Sequence, residues 1–237
     1  MTDVTPRAAR GQVRASASTY GESRDGARLT VYGPRTADGR TLWLAGIHGD
    51  ELETIAVLSA ALRLVPDGAL QHPVILCANP DGALRGTRGN AAGIDLNRNF
   101  PTSDWRAGTT HYRWGSTGPQ DVELSTGDAP CSEPEVSALL ALIEELDPEH
   151  LVVVHAPLGL IDDPSESPLA RELAKATGMP MAAVGYPTPG SIGTWGRETG
   201  RTIVTYELPE ADTHSLISDH SYLIAEHLRR PPANRRV

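Results

Sequence analysis

Apolar positions along this 237-residue chain follow two rhythms. Short apolar runs that end abruptly mark strands covered on both faces. They are Leu29 to Tyr32, "TLWLAGI" (Thr41 to Ile47), "HPVILCAN" (His72 to Asn79), "LVVVH" (Leu151 to His155) and "TIVTYEL" (Thr202 to Leu208). "MAAVGY" (Met181 to Tyr186) reads as a further strand, and "PDG" at Pro80 to Gly82 as the turn that closes the second long run. Between these runs the spacing changes to that of a helix packed on one side. Leu52, Ile55, Leu58 and Leu62 make one such stripe, and Val136, Leu139, Leu140 and Ile143 another. The second helix opens on Ser132 as N-cap with Glu135 three residues later, the spacing of a capping box. "SPLARELAKAT" and "SLISDHSYLIAEHLRR" predict two more helices. From Ala83 to Ala129 there is little periodicity but much Gly, Asn, Arg and Trp, and a connection that long in a compact domain is usually functional.

Strands alternating with helices predict an α/β fold: one domain on a mostly parallel, mixed, twisted sheet with helices on both faces. The expected bounds are a polar N-terminal arm over 1–20, the domain over 21–229 and a flexible tail over 230–237. Composition narrows the function classes. The net charge is −9, and the densest positive cluster is the terminal "LRRPPANRRV", which reads as a solvated tail, so no nucleic-acid partner is expected. No secretory leader and no run of about 18 apolar residues is apparent, so the chain is expected in the cytoplasm with no membrane partner. Its two cysteines, Cys77 in an apolar run and Cys131 in a polar loop, indicate neither a disulfide framework nor a thiolate metal cage.

Ligands of such sheets sit outside the carboxyl ends of the strands. There the sequence places His48 with Glu51 three residues on, His155 at the end of "LVVVH", and Glu207 near the end of "TIVTYEL". Two histidines and a carboxylate are the ligand set of a catalytic zinc, which keeps a fourth position for water. His150 competes with His155 as third ligand, but along an extended strand it lies roughly 16 Å away, at the opposite end. A carboxylate beside the metal, Glu207, is the expected general base, able to take a proton from water and pass it to a leaving amine. Arg85, Arg88 and Arg98 in "LRGTRGNAAGIDLNRNF" supply guanidinium groups for a carboxylate or an oxyanion. Singly, each residue has an ordinary role: a packed histidine, a salt-bridge acid, a solvated arginine. What carries weight is that three strand ends and one Arg/Asn loop aim at one rim.

"HGDE" with a later strand-ending histidine, "GIDLNRNFP" between them and a strand-borne "YELP" resemble the zinc carboxypeptidase family typified by carboxypeptidase A. The resemblance spans most of the chain. "HGDELET", "NPDG", "GNAAGIDLNRNFP", "SEPE" and above all "VGYPTPGSIGTW" are similar to a compact bacterial branch of that family. That branch cuts the γ-D-glutamyl–meso-diaminopimelate amide of murein peptides during cell-wall recycling. The resemblance implies one Zn²⁺ per chain on His48, Glu51 and His155, with Glu207 as base and acid. It implies Asn97 and Arg98 at the substrate's terminal carboxylate, Asp95 hydrogen-bonded to a ligand histidine, Tyr186 closing over substrate, and Ser191 and Ile192 near the pocket for the leaving residue. Arg88 is preferred as the oxyanion arginine, with Arg85 able to reach the same space. Pro187 and Pro189 beside Tyr186 are expected to restrict that loop. The expected partner is a small peptide. The rival readings are an N-acyl amino acid deacylase of the succinylglutamate desuccinylase or aspartoacylase type, a general metallocarboxypeptidase, and a non-catalytic peptide binder.

Overall fold

The computed structural model describes residues 11–36, 40–114 and 120–232. Its main sheet has the order β1-β2-β4-β3-β7-β9-β8. The strands are β1 (Ala17–Glu22), β2 (Arg28–Tyr32), β3 (Thr41–Leu44), β4 (Val74–Ile75), β7 (His150–His155), β8 (Leu158–Asp162) and β9 (Thr202–Pro209). β4, β3, β7 and β9 run parallel and form the centre, while β2 and β8 flank it antiparallel and β1 pairs antiparallel with β2. The apolar runs lack a two-residue alternation because both faces of this centre are covered: every residue of β3 is buried, as are Leu151 to His155.

On one face lie α1 (Leu52–Leu64), α4 (Pro168–Thr177) and α6 (Thr213–Arg229), whose Leu58, Leu62, Leu173, Ile224 and Leu228 pack on Trp43, Val152 and Tyr206. On the other, α3 (Pro134–Leu146) and α5 (Ile192–Thr199) pack Leu139, Ile143, Ile192 and Trp195 against Leu42, Leu44 and Val153. Placing helices on both faces follows from the patterning, and the parallel centre with antiparallel edges is the expected mixed sheet.

Several local expectations are corrected. The stripe of α1 is rotated: Val57, Leu58, Ala61 and Leu62 are buried, while Leu52 is 49% exposed at the first turn. The buried stripe is the one that faces α6 and the sheet, since α1 packs against α6 along its length. In α3, Leu142 and Leu146 are buried and Leu140 only partly. The predicted capping box there does not form. The N-cap is Glu133, Ser132 Oγ donates to the Glu133 carboxylate, and Glu135 accepts from the Arg24 backbone N–H and Asn90 Nδ2. "PDG" opens a short helix, α2 (Pro80–Arg85), instead of a turn, with Asn79 accepting from the Gly82 N–H. Met181 makes one bridge to Ile161 of β8, and the rest of "MAAVGY" forms no strand. The aperiodic stretch contains a hairpin, β5 (Thr109–Trp114) with β6 (Gln120–Ser125), and a 3-10 turn at Leu96–Arg98. Residues 17–20, expected in the polar arm, belong to β1, and residues 233–237 of the expected tail lie outside the described residues.

Candidate metal centre and active site

The site forms where β3, β7 and β9 end together. β7 and β9 pair in register so that His155 lies opposite Glu207, and Leu44 of β3 pairs with Val153. The chain after β3 turns at Gly49, whose backbone runs against that of α2: a Cβ on Gly49 would stand 2.2 Å from the Gly82 carbonyl carbon, and one on Gly82 2.5 Å from Gly89 O. This close approach seats the turn that presents His48.

Glu51 occupies the N-cap of α1, where a short side chain usually accepts a backbone N–H of the first turn. Its carboxylate makes no such bond and turns inward instead. Oε1 lies 2.7 Å from His48 Nδ1, and Oε2 lies 3.1 Å from His155 Nδ1. All three side chains are buried, and one donor atom from each lies within 4.8 Å of the others. Donors around a tetrahedral zinc at about 2.0–2.1 Å stand roughly 3.4 Å apart, so two imidazole nitrogens and a carboxylate at these spacings suit that ion. Residues that could hold a metal are therefore the three expected from sequence. His150 begins β7, at the far end of the same strand, and takes no part.

Asp95 and Arg88 surround this set. Asp95 Oδ1 stands at an ion-pair distance of 3.4 Å from His48 Nε2 and also accepts the Asn97 N–H. Arg88 Nε is 3.4 Å from Asp95 Oδ2, and its Nη1 donates to Glu51 Oε1 at 3.1 Å. Although burial opposes it, His48, Arg88 and Arg98 hold the Asp95 carboxyl far below the usual carboxylate range, and the two histidines do the same for Glu51. Both acids are thus anions facing the imidazoles. Arg85 points elsewhere: it is exposed, ion-paired to Asp25 and bonded to Asp81 O. Of the two candidate arginines, only Arg88 reaches the metal-ligand cluster.

Glu207 is buried next to His155, with the Leu158 N–H 3.4 Å from Oε2. Burial pushes its carboxyl above the ordinary value, and the neighbouring histidines oppose that only in part. A carboxyl raised in this way is a better proton acceptor than an exposed one.

Across a cavity of about 870 Å³ lie Asn97, Arg98, Tyr186, Ser191 and Ile192. Asn97 Oδ1 accepts the first N–H of α5, from Ile192 at 3.0 Å, leaving the amide nitrogen without a partner among the described residues. Arg98 is buried and spends Nη1 on Asn97 O, with no other hydrogen bond from its guanidinium among the described residues, and its charge also acts on Asp95. Tyr186 is 51% exposed on the loop above. The pocket also takes in Thr110 and His111 from the β5–β6 hairpin, Asp162 of β8 and Arg197 of α5, none of which sequence reasoning singled out. The strand-forming residues of "TTHYRW" were the available signal for the hairpin.

Residues 69–157 match the zinc carboxypeptidase family. The chain is 43% identical to murein peptide amidase A of Escherichia coli (strain K12), over 98% of this chain and 97% of that protein. The crystal structure of the murein-tripeptide amidase from Escherichia coli O157 superposes with a TM-score of 0.89 at 41% identity, covering 99% of this chain and all of that one. Carboxypeptidase A from Helicoverpa armigera shares the fold at 17% identity, with a TM-score of 0.67 over 91% of this chain and 68% of that one. Together with the buried His–Glu–His cluster, this likeness places the chain in the zinc carboxypeptidase family, among the relatives of murein peptide amidase A, as a metallohydrolase.

Proposed function

We propose that this chain is a zinc-dependent amidase of murein peptides that hydrolyses the γ-D-glutamyl–meso-diaminopimelate amide. The observation that carries the reading is the juxtaposition of two opposite requirements in one cavity: a buried His48–Glu51–His155 cluster with Glu207 on the adjacent strand, and Asn97 and Arg98 with donors to spare across from it. The relatives' names, which specify murein peptides, support the substrate class.

Zinc held by His48, Glu51 and His155, one ion per chain, would supply a Lewis acid that polarises the scissile carbonyl and makes water acidic near neutral pH. Glu207 takes the proton of the attacking water and returns it to the departing amine, roles helped by its burial beside His155. Arg88 offers a guanidinium to the oxyanion that develops on the carbonyl oxygen. Asn97 and Arg98 hold the carboxylate next to the scissile amide and so fix the register of the peptide. Asp95 orients the His48 ring from its far nitrogen, and Tyr186 covers the bound leaving residue. We place the enzyme in the cytoplasm, where recycled wall peptides are degraded, and the unpaired Cys77 and Cys131 fit a reducing compartment. No helix among the described residues is long and apolar enough to cross a membrane.

The test is metal content followed by hydrolysis. The purified chain is expected to hold about one zinc and to release diaminopimelate from L-Ala-γ-D-Glu-meso-diaminopimelate, leaving N-succinylglutamate untouched. Cleavage of N-succinylglutamate alone would establish the deacylase reading instead.

A further inference from the structure

The cavity extends past the catalytic rim. It continues along β9 from Glu207 over Thr205 to a second polar end, where Asp162 of β8 and Arg197 of α5 face the same space. β8 pairs antiparallel with β9, with Leu160 opposite Glu207 and Asp162 opposite Thr205. One strand spacing and two residues along the strand separate the Asp162 and Glu207 Cα atoms by roughly 8 Å.

The charges at this end are not consumed by the fold. Asp162 Oδ2 accepts the Val184 N–H at 3.1 Å, and Oδ1 has no hydrogen-bond partner among the described residues. Burial pushes its carboxyl up, with the Val184 N–H and then the Arg197 charge opposing. Arg197 gives Nη2 to Thr194 Oγ1 at 2.9 Å and forms no ion pair among the described residues. The neighbouring charges are spent differently. Asp163 accepts from the Ser165 N–H and hydroxyl and from the Ser167 N–H, and Arg201 pairs with Asp147 and lies over the Trp195 ring.

A glycine between the two ends has no role in packing. Within α5, Gly196 is required, because its Cβ would stand 2.1 Å from Ile203 Cγ1. Gly193, one turn before Arg197, is not: a Cβ there would meet only Ser191 Oγ at 3.8 Å, and its backbone has no need of glycine. Glycine is a poor helix former, so its presence is explained by the open space it leaves over the cavity.

We propose that Asp162 and Arg197 form the subsite for the far end of the leaving residue, Asp162 accepting from its distal ammonium and Arg197 binding its distal carboxylate, with Gly193 leaving room for the chain between. The proposal rests on the amidase reading above. A diaminopimelate residue ends in an amino-acid head that carries both charges on one carbon, about 5 Å from the carbon that bears the scissile nitrogen when the chain is extended. Lysine offers only the ammonium, and norleucine offers neither. The subsite therefore gives the enzyme its preference for a zwitterionic tail, since only such a tail engages both the half-buried acid and the exposed guanidinium.

Values of kcat/KM for the zinc-loaded chain and its Asp162→Asn and Arg197→Met variants, on L-Ala-γ-D-Glu-X with X as meso-diaminopimelate, L-lysine or L-norleucine, test this. Asp162→Asn is expected to lower kcat/KM by about 10- to 100-fold on the diaminopimelate and lysine peptides, and Arg197→Met by a similar factor on the diaminopimelate peptide alone. The norleucine peptide is expected to be poor and equal for all three proteins. The proposal is overturned if the diaminopimelate peptide is unaffected, or if the variants slow all three peptides alike. If the parent chain cleaves none of them, the amidase reading fails, and calorimetric binding of free meso-diaminopimelate decides the subsite separately. Binding weakened by both substitutions supports it, and binding that is absent or unchanged overturns it.

Discussion

Two regions of this molecule each hold a pair of buried histidines, with opposite surroundings. At the carboxyl edge of the sheet, His48 and His155 stand with ring centroids 4.7 Å apart and both turn Nδ1 toward one carboxylate. Under α6, His220 Nδ1 lies 2.7 Å from Tyr206 Oη, its one hydrogen-bond partner among the described residues, and His227 lies beside the Trp43 ring with Nε2 3.8 Å from Glu172 Oε1. Burial and Arg88 push the His48 imidazole down, yet Glu51 and Asp95 leave it above its ordinary value. Burial pushes His220 and His227 down, with Asp219 and Glu172 opposing only in part. Burial of a histidine is thus no mark of a ligand. Two anions aimed at a pair of imidazoles are, because that arrangement gains most from a cation at its centre.

Perturbing the two regions separately sharpens the contrast, and the largest effect is expected from the metal itself. Chelation of the purified chain should abolish hydrolysis and lower Tm, zinc should restore both, and His155→Ala should be inactive under the same assay with zinc supplied. Persistent activity in His155→Ala would remove it from the ligand set. Next comes Glu207→Gln, expected to reduce kcat by about 10²- to 10⁴-fold with zinc content unchanged. A variant that lost the metal as well would make Glu207 a ligand instead of a base. Gly49→Ala forces a Cβ onto the Gly82 backbone, and a loss of about 1–3 kcal/mol in denaturant unfolding is expected.

On the α6 side the expected effect is a pH dependence of stability. The folded chain holds the His220 pKa below its ordinary value, so as pH falls through the unfolded value near 6.5 the unfolded chain binds the proton first. Stability should therefore fall as pH drops from about 7 toward 5, and less steeply in His220→Gln. Equal slopes for the two proteins would remove His220 from the account. The smallest effect belongs to Arg85→Ala, because its exposed pair with Asp25 is remote from the cluster: kcat/KM should change by less than about 2-fold.

The contrast also explains how much was legible in advance. The parallel centre was readable because β3, β7 and β9 are short runs rich in apolar residues, and each delivers chemistry within a few residues of its end. His48, Glu51, His155 and Glu207 share a rim for that reason alone. Arg88 over Arg85 was a matter of side-chain direction, set by which acid each arginine meets, and no spacing rule reports that. β8 and α5 stayed hidden because they are short and glycine-containing, and the hairpin because its strands are largely polar. They bring Asp162, Arg197 and His111 to the cavity. The failed capping box at Ser132 has a similar origin: Glu133 and Glu135 are drawn into a network with Arg24 and Asn90 that outweighs the local preference.

The measurement that tests the central claim most directly is an anomalous difference map at the zinc edge from a crystal of the zinc-loaded chain. A single strong peak within about 2.0–2.2 Å of His48 Nδ1, a Glu51 carboxylate oxygen and His155 Nδ1 is the predicted result. A peak coordinated elsewhere, or none at this cluster while the protein retains its amidase activity, would contradict it.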